Sequence, residues 1–317
     1  MAHGLARDLH SRYPEEAPQT KSEGGILMNL VNYAVTSPVT VTPQASVDRA
    51  IHLMEENAIA HLVVVHHGRV VGMLSDRDIL ISTGWMLAAE RQATRDLHER
   101  PVVVGPTRVE QIMSRPALVV QAGESPRRAA LLMLERKVGA LPVFHDGKLA
   151  GLLCESDLLD WLDRLAHCGN AADQLLGQPV GNLMHRAVQC VCPDDSIEDI
   201  IGIFRNRRVR HVPVLSNDSL VGIVSDRDVR RAVGWSMVRD LQADEERRIA
   251  AETAPSLARH IMQRNVLVIG ASTPVRDALR LMLAQGVHSL PVVERGRLVG
   301  IVTRTDLVRL IAQADLM

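Results

Sequence analysis

The sequence predicts an α/β (α+β) protein made of four β-α-β-β-α units arranged as two pairs. Three observations predict it. First, one motif recurs four times, as Gly72-Met73-Leu74-Ser75-Asp76-Arg77-Asp78, Gly151-Leu152-Leu153-Cys154-Glu155-Ser156-Asp157, Gly222-Ile223-Val224-Ser225-Asp226-Arg227-Asp228 and Gly300-Ile301-Val302-Thr303-Arg304-Thr305-Asp306. Second, the glycines lie 79, 71 and 78 residues apart, but 150 and 149 apart when taken two at a time. A unit was doubled and the pair doubled again. Third, 46% of the 317 residues are hydrophobic but only 2% are aromatic, so the cores are of Val, Leu, Ile, Ala and Met.

Each unit follows one plan. In unit 1 a strand over 39–41 is broken by Pro43. Ser46 caps a helix with Val47, Ala50, Ile51 and Met54 at helical spacing. A strand over 62–65, a His67-Gly68 turn and a return strand over 70–74 follow, and the Ser75 helix closes the unit through Ile79 and Leu80. Unit 2 runs from Val109, with a strand over 118–120 and a helix opened by Ser125-Pro126, a cap followed by proline at the first helical position. Ala129, Leu132, Met133 and Val138 lead into Leu141-Pro142-Val143. Asp146-Gly147 is the hairpin turn, and Leu158, Leu159, Trp161 and Leu162 fill the last helix. Unit 3 begins near Val180, with Pro193 and Ser196 each 150 residues after Pro43 and Ser46, and strands over 212–215 and 220–224. Unit 4 begins near Leu257. Thr273-Pro274 opens its helix, Leu290-Pro291-Val292 its hairpin, and Arg295-Gly296 supplies the turn.

The expected division is a disordered tail over 1–27, units at 28–84, 109–166, 179–235 and 257–317, inserts at 85–108 and 236–256, and a linker at 167–178. Both inserts are introduced by Gly-Trp, at Gly84-Trp85 and Gly234-Trp235. They read either as interface elements or as solvated helical linkers.

The recurring corner carries the chemistry. Ser225 stands at a helix N-cap, where a hydroxyl bonds an orphan backbone N–H or an incoming ligand. The first turn of a helix favours an anion. Arg227 adds a charge suited to phosphate, and Asp228 an acceptor for ribose hydroxyls. The plain alternative is a capped helix with an ordinary charged first turn.

Other classes find little support. Thirty-six basic against 37 acidic side chains, a formal charge of −1, argue against a broad grip on nucleic acid. No apolar run reaches the roughly 20 residues of a membrane helix, and the polar N-terminus lacks a signal-peptide core. Cys154, Cys168, Cys190 and Cys192 form no zinc spacing and read as reduced thiols, with cytoplasmic location the expectation. His66-His67 with His10 or His52 fits no familiar metal set. Asp194-Asp195 reads as loop chemistry, and no nucleophile, base and oxyanion set is present, so no catalytic residue is assigned. His61 and His211 read either as phosphate contacts of a neighbouring corner or as strand-edge histidines.

The β-α-β-β-α unit, with Pro-Val before a hairpin and G-h-h-[ST]-x-x-D at the last helix, resembles the cystathionine-β-synthase (CBS) domain in all four copies. Val109 to Met113 and Val180 to Met184 match the family's Val-x-x-[IL]-Met opening, and Leu257 to Met262 is a looser version. In this family two units join as a Bateman module, and two modules in one chain are similar to the layout of the γ subunit of AMP-activated protein kinase. The resemblance implies adenosine-nucleotide binding between paired units, with AMP, ADP or ATP as regulatory ligand and no other cofactor. Carried onto this chain, it sets Ser225, Arg227 and Asp228 opposite Val287 and His288. It sets Thr303, Thr305 and Asp306 opposite Val209 and Arg210, and Ser75, Arg77 and Asp78 opposite Val138 and Gly139. Unit 2 departs from the pattern. Cys154 replaces the hydroxyl and Glu155 brings negative charge, so the corner of Asp157 is expected to be weak or empty. Unit 1 departs in having Val63 where the others have proline.

The expected function is therefore a nucleotide-sensing regulator, not an enzyme, acting on an unidentified protein target and forming a homodimer. A structural module with vestigial clefts and a small hydrolase acting on adenyl ligands are the alternatives.

Overall fold

The computed structural model describes residues 29–82, 106–166, 171–207, 209–233 and 256–314. The N-terminal tail, most of both Gly-Trp inserts with Trp85 and Trp235, and Cys168 lie outside the described residues.

Unit 1 gives strand β1 (Thr40–Val41), helix α1 (Val47–Glu56), the hairpin β2 (His61–His66) and β3 (Arg69–Ser75), and a closing helix α2 over 76–82. Unit 2 gives β4 (Val120–Gln121), α3 (Pro126–Arg136), β5 (Ala140–His145), β6 (Lys148–Cys154), α4 (Glu155–Ala166) and then α5 (Ala171–Gly177). Unit 3 gives α6 (Ile197–Arg207), β7 (His211–Ser216), β8 (Ser219–Ser225) and α7 (Asp226–Val233). Unit 4 gives α8 (Ala258–Ile261), α9 (Val275–Ala284), β9 (Ser289–Glu294), β10 (Arg297–Thr303) and α10 (Arg304–Gln313).

The sheets repeat as well. β1 runs parallel to β2, and β4 to β5, while each hairpin is antiparallel. In units 3 and 4 the first strand shrinks to a single parallel bridge, Val191 to Val214 and Ile269 to Val292. Val191 is buried beside a half-buried Cys190 and an exposed Cys192. All four hairpins turn through two residues of positive φ: His67-Gly68, Asp146-Gly147, Asn217-Asp218 and Arg295-Gly296. That pair of left-handed residues is the type I′ turn, whose twist matches the strands it joins.

Two sequence expectations shift locally. The first strand of unit 2 is Val120–Gln121, two residues later than expected. Pro274, not Thr273, stands at the N-cap of α9, while the Thr273 hydroxyl accepts from Gly270 N–H at 3.2 Å and closes the preceding turn. Val63 differs from its proline counterparts in keeping an N–H, which donates to Val39 O at 3.3 Å.

The chain divides into two compact bodies. The larger consists of the described residues of Val39–Pro116 and Gln178–Thr303. The smaller consists of the described residues up to Pro38, of Ala117–Gly177, and of those from Arg304 on. The opening segments explain two of these boundaries, at Pro38 and at Pro116. The opening segment of a unit does not join its own sheet. Ser114, opening unit 2, exchanges backbone hydrogen bonds with Met73 of β3, at 2.9 and 3.1 Å. Gln263, opening unit 4, pairs with Ile223 of β8, and His185, opening unit 3, pairs with Ile301 of β10, each bond at 2.9–3.0 Å. In the smaller body Val35, opening unit 1, pairs with Leu152 of β6.

That exchange explains the four glycines. A Cβ on Gly72 would lie 2.6 Å from Ser114 O, and one on Gly222 or Gly300 would lie 2.6 Å from Sδ of Met262 or Met184. On Gly151 it would meet Ala34 Cβ and Val35 O at 3.0 Å. The crossing segment leaves no room for a side chain.

The cores extend the pattern. The core of unit 1 includes Ala50, Ile51, Leu62, Val64 and Ile79, together with Val109 and Met113 from the opening of unit 2. Around Ile197, Ile200, Val212, Val214 and Val229, unit 3 takes in Ala258, Ile261 and Met262 from the opening of unit 4. Leu80, from α2 of unit 1, is buried in that same unit 3 core. In the smaller body α10 packs on α3 and α4, and Arg127 Nε donates to Ala312 O at 3.1 Å.

Candidate nucleotide-binding corners

Corner 3 forms where β8 gives way to α7. Ser225 is the last residue of the strand and Asp228 lies in the first turn of the helix. The Asp228 carboxylate turns back on the start of the helix. Its Oδ2 accepts from Ser225 N–H at 2.8 Å and from the Ser225 hydroxyl at 2.5 Å, while Ser225 Oγ accepts from Asp228 N–H at 3.2 Å. This is a reciprocal capping box, with Asp in the place of the usual Glu. Asp228 is buried to 8% exposure, whereas Arg227 is exposed. Asp226 N–H donates to Arg210 O at 3.0 Å, fixing the corner against the residue that precedes β7.

Corner 1 repeats the lock. Asp78 Oδ2 accepts from Ser75 N–H at 2.8 Å and from its hydroxyl at 2.6 Å, and Ser75 Oγ accepts from Asp78 N–H at 3.2 Å. In corner 2 Asp157 Oδ2 still accepts from Cys154 N–H at 2.7 Å, and Asp157 is buried to 4% exposure. Glu155 Oε1 there accepts from the Thr305 hydroxyl at 3.5 Å. Corner 4 is divided by the boundary between the bodies. Thr303 ends β10, while Thr305 and Asp306 belong to α10, where Asp306 is buried and Oδ1 accepts from Arg309 Nη1 at 2.7 Å.

The larger body brings units 1 and 3 together at their corners. Arg230 of α7 pairs with Asp76 of α2 at 2.6 Å, with only 10% and 13% of the two side chains exposed. Arg77 Nη2 donates to Phe204 O at 3.5 Å. His61 and His211 stand at the starts of β2 and β7, each half-buried. Protein surrounds both rings on most sides despite that residual exposure. Desolvation is accordingly the leading cause that pulls each pKa down from 6.5 to about 4. Arg210 lowers both further. Asp78 opposes the fall at His61, and Asp226 and Asp228 oppose it at His211. His288 lies beside His211, with ring centroids 6.2 Å apart. Val209 and Val287 are half-buried next to Arg210 and His288 in sequence. Val138 and Gly139 precede β5 in the smaller body, where Gly139 O accepts from Glu155 N–H at 3.1 Å.

Two site features escape the sequence patterns. Gln263 Nε2 donates to Asp228 Oδ1 at 2.9 Å. The signal was its place directly after Met262, equivalent to Ser114 after Met113 and His185 after Met184. The Asp76–Arg230 pair had no signal, because Arg230 replaces Leu80 in the repeat. Asp195 Oδ2 accepts from Cys192 N–H at 2.7 Å, and Asp194 pairs with Arg259. Among the described residues no cluster of three or more His, Cys, Asp or Glu is placed to hold a metal ion, and no helix is long and apolar enough to cross a membrane.

Comparison with known proteins places the architecture. Residues 31–82, 109–164, 180–234 and 258–313 match the CBS domain. The protein MJ1225 of Methanocaldococcus jannaschii is 25% identical over 285 residues, spanning 86% of this chain and 95% of that protein. A 33.4 kDa protein encoded in a ribosomal RNA operon of Thermofilum pendens is 28% identical over 275 residues, 85% of this chain and 86% of the relative. The crystal structure of MJ1225, described as a candidate archaeal homologue of γ-AMPK, matches with a TM-score of 0.71 at 22% identity, over 89% of this chain and 99% of that one. A conserved protein of Pyrococcus horikoshii matches with a TM-score of 0.57 at 20% identity, over 90% and 100%. These structural likenesses concern the fold. Four matched segments account for more than half of the residues, and the chain belongs to the CBS domain family.

Proposed function

We propose that this chain is a regulatory protein that binds adenosine nucleotides (AMP, ADP or ATP) at its strand–helix corners and answers with a change in conformation or partner affinity. The observation that carries this reading is the shared geometry of corners 1 and 3. Each buries or half-buries an aspartate at a helix start, locked by Ser75 or Ser225. Each lies in the body that also gathers Arg210, Arg230, His61, His211 and His288. Carboxylate acceptors suit ribose hydroxyls, and the arginines suit phosphate. A bound nucleotide shifts a conformational equilibrium only through unequal affinity for its two states, and the Asp76–Arg230 contact between units 1 and 3 is the element such a shift would act on.

A second reading, an assembly module with vestigial clefts, is favoured by one observation. The Ser–Asp locks already serve as complete helix caps and require no ligand. Calorimetric titration of the full chain with AMP, ADP and ATP separates the two. Saturable heat with at least one nucleotide supports the regulator. Absence of heat with all three at millimolar concentration supports the assembly module. Light scattering of the same samples tests the proposed homodimer against the 34.8 kDa mass of one chain.

A further inference from the structure

The Asp228 carboxylate in corner 3 accepts three hydrogen bonds, and the third comes from another repeat. Oδ2 takes both the N–H and O–H of Ser225, while Oδ1 takes the side-chain amide of Gln263 at 2.9 Å. A carboxylate oxygen offers two acceptor positions, so Oδ2 is filled and Oδ1 keeps one. An ionised carboxylate only accepts, which settles the orientation of the amide: the NH2 faces Asp228 and the carbonyl Oε1 is held beside it. Gln263 is itself exposed. Its backbone is fixed on both sides, by reciprocal hydrogen bonds with Ile223 and by the burial of Met262 over Gly222.

We propose that Gln263 is a specificity-determining residue of corner 3, pairing with Asp228 to read a cis-diol such as the 2′- and 3′-hydroxyls of a ribose. The 3′-hydroxyl donates to Asp228 Oδ1 and the 2′-hydroxyl to Gln263 Oε1. The proposal rests on the nucleotide reading above. A diol brings two donors, and the single position left on Asp228 cannot satisfy both. The adjacent amide carbonyl supplies the missing acceptor, already oriented. Corner 1 is built differently at this point. Its equivalent residue, Ser114, sends its hydroxyl to Met73 O at 3.2 Å, and its short side chain carries no amide. Corner 1 therefore offers a diol Asp78 alone, whereas corner 3 offers it two residues, Asp228 and Gln263.

The test is calorimetry on the full chain with AMP and 2′-deoxy-AMP, comparing the wild type with Gln263→Lys, which keeps a donor for Asp228 Oδ1 but carries no acceptor, and with Ser114→Lys as the control at the equivalent position. Asp228→Ala identifies which binding event belongs to corner 3. At that site the wild type is expected to prefer AMP by about tenfold, the worth of one hydrogen bond. Gln263→Lys should cut this preference to about twofold, because the added charge acts alike on the phosphate of both nucleotides while the acceptor for the 2′-hydroxyl is gone, and Ser114→Lys should leave it intact. A purely structural role for Gln263 would change the affinity of both nucleotides by the same factor and leave their ratio unchanged, which overturns the proposal alone. Absence of heat with AMP, ADP and ATP alike overturns the nucleotide reading and this proposal together; where only ADP or ATP binds, the same ratio is read with its 2′-deoxy form.

Discussion

Corners 1 and 3 carry the same Ser-Asp-Arg-Asp sequence 150 residues apart and fold it into the same hydrogen-bonded lock, yet they meet their surroundings in opposite ways. Two positions after the second aspartate, unit 1 has Leu80 and unit 3 has Arg230. Leu80 is buried in the core of unit 3. Arg230 reaches back to Asp76 of unit 1 in a nearly buried ion pair. A duplicated scaffold thus supplies two equivalent helices, and one substitution makes their contact apolar in one direction and ionic in the other. The repeat sets the local geometry, and departures from the repeat set what the copies do to each other.

The largest expected effect comes from breaking that ion pair. Arg230→Leu should lower stability by about 3 kcal/mol, because it strands a poorly solvated Asp76 carboxylate. Adding Asp76→Leu should recover most of the loss, since apolar replacement of both partners of a buried pair is often neutral. Urea denaturation measures both. A loss below about 0.5 kcal/mol in the single variant would mean that the pair behaves as an exposed one.

The glycines sharpen the comparison at a smaller scale. Gly72→Ala and Gly222→Ala should each cost about 1–3 kcal/mol through overpacking, with Gly72→Ala the worse. Its new Cβ meets the backbone oxygen of Ser114, whereas at Gly222 it first meets the Met262 side chain, which can move. The reverse ranking would show that the opening segment of unit 2 is the more adaptable one.

Acid should weaken the fold through His61 and His211. Both are held near pKa 4 in the folded state, below their unfolded value of 6.5. Their neutral forms contribute stability that is fully present above pH 6.5 and is lost as the pH falls toward 4, because the unfolded chain takes up protons first. The melting temperature should therefore drop across this window. His61→Asn and His211→Asn should each flatten the drop. A slope equal to that of the wild type in both variants would assign the acid sensitivity to other groups.

The sequence made the local architecture legible. Ser46 and Ser125 cap α1 and α3 as their spacing predicts, and the side chain of each accepts from the N–H three residues on. The two-residue turns at His67, Asp146 and Arg295 were readable for the same reason, since turn chemistry is written in adjacent residues. The recurring glycine was visible, but its cause was not. The Cβ clash comes from a segment some 40 residues away, at Ser114 or Met262, and periodicity within one unit carries no trace of it. Gln263 stands one residue beyond the opening motif, which ends at its methionine, so the motif does not reach it. The ion pair is not legible in the sequence, because a charged residue at a position apolar in its repeat partner reads as ordinary surface variation.

The nucleotide reading assigns a ranking to the corners, and that ranking is its most direct test. Asp228 comes with the Ser225 hydroxyl and the Gln263 amide, while Asp157 comes with Cys154 and the acidic Glu155. Calorimetric titration of AMP, ADP and ATP into the full chain should show that Asp228→Ala weakens binding at one site by at least about 1 kcal/mol, the net worth of one hydrogen bond, while Asp157→Ala leaves every binding event unchanged. Equal effects from the two substitutions would contradict the account.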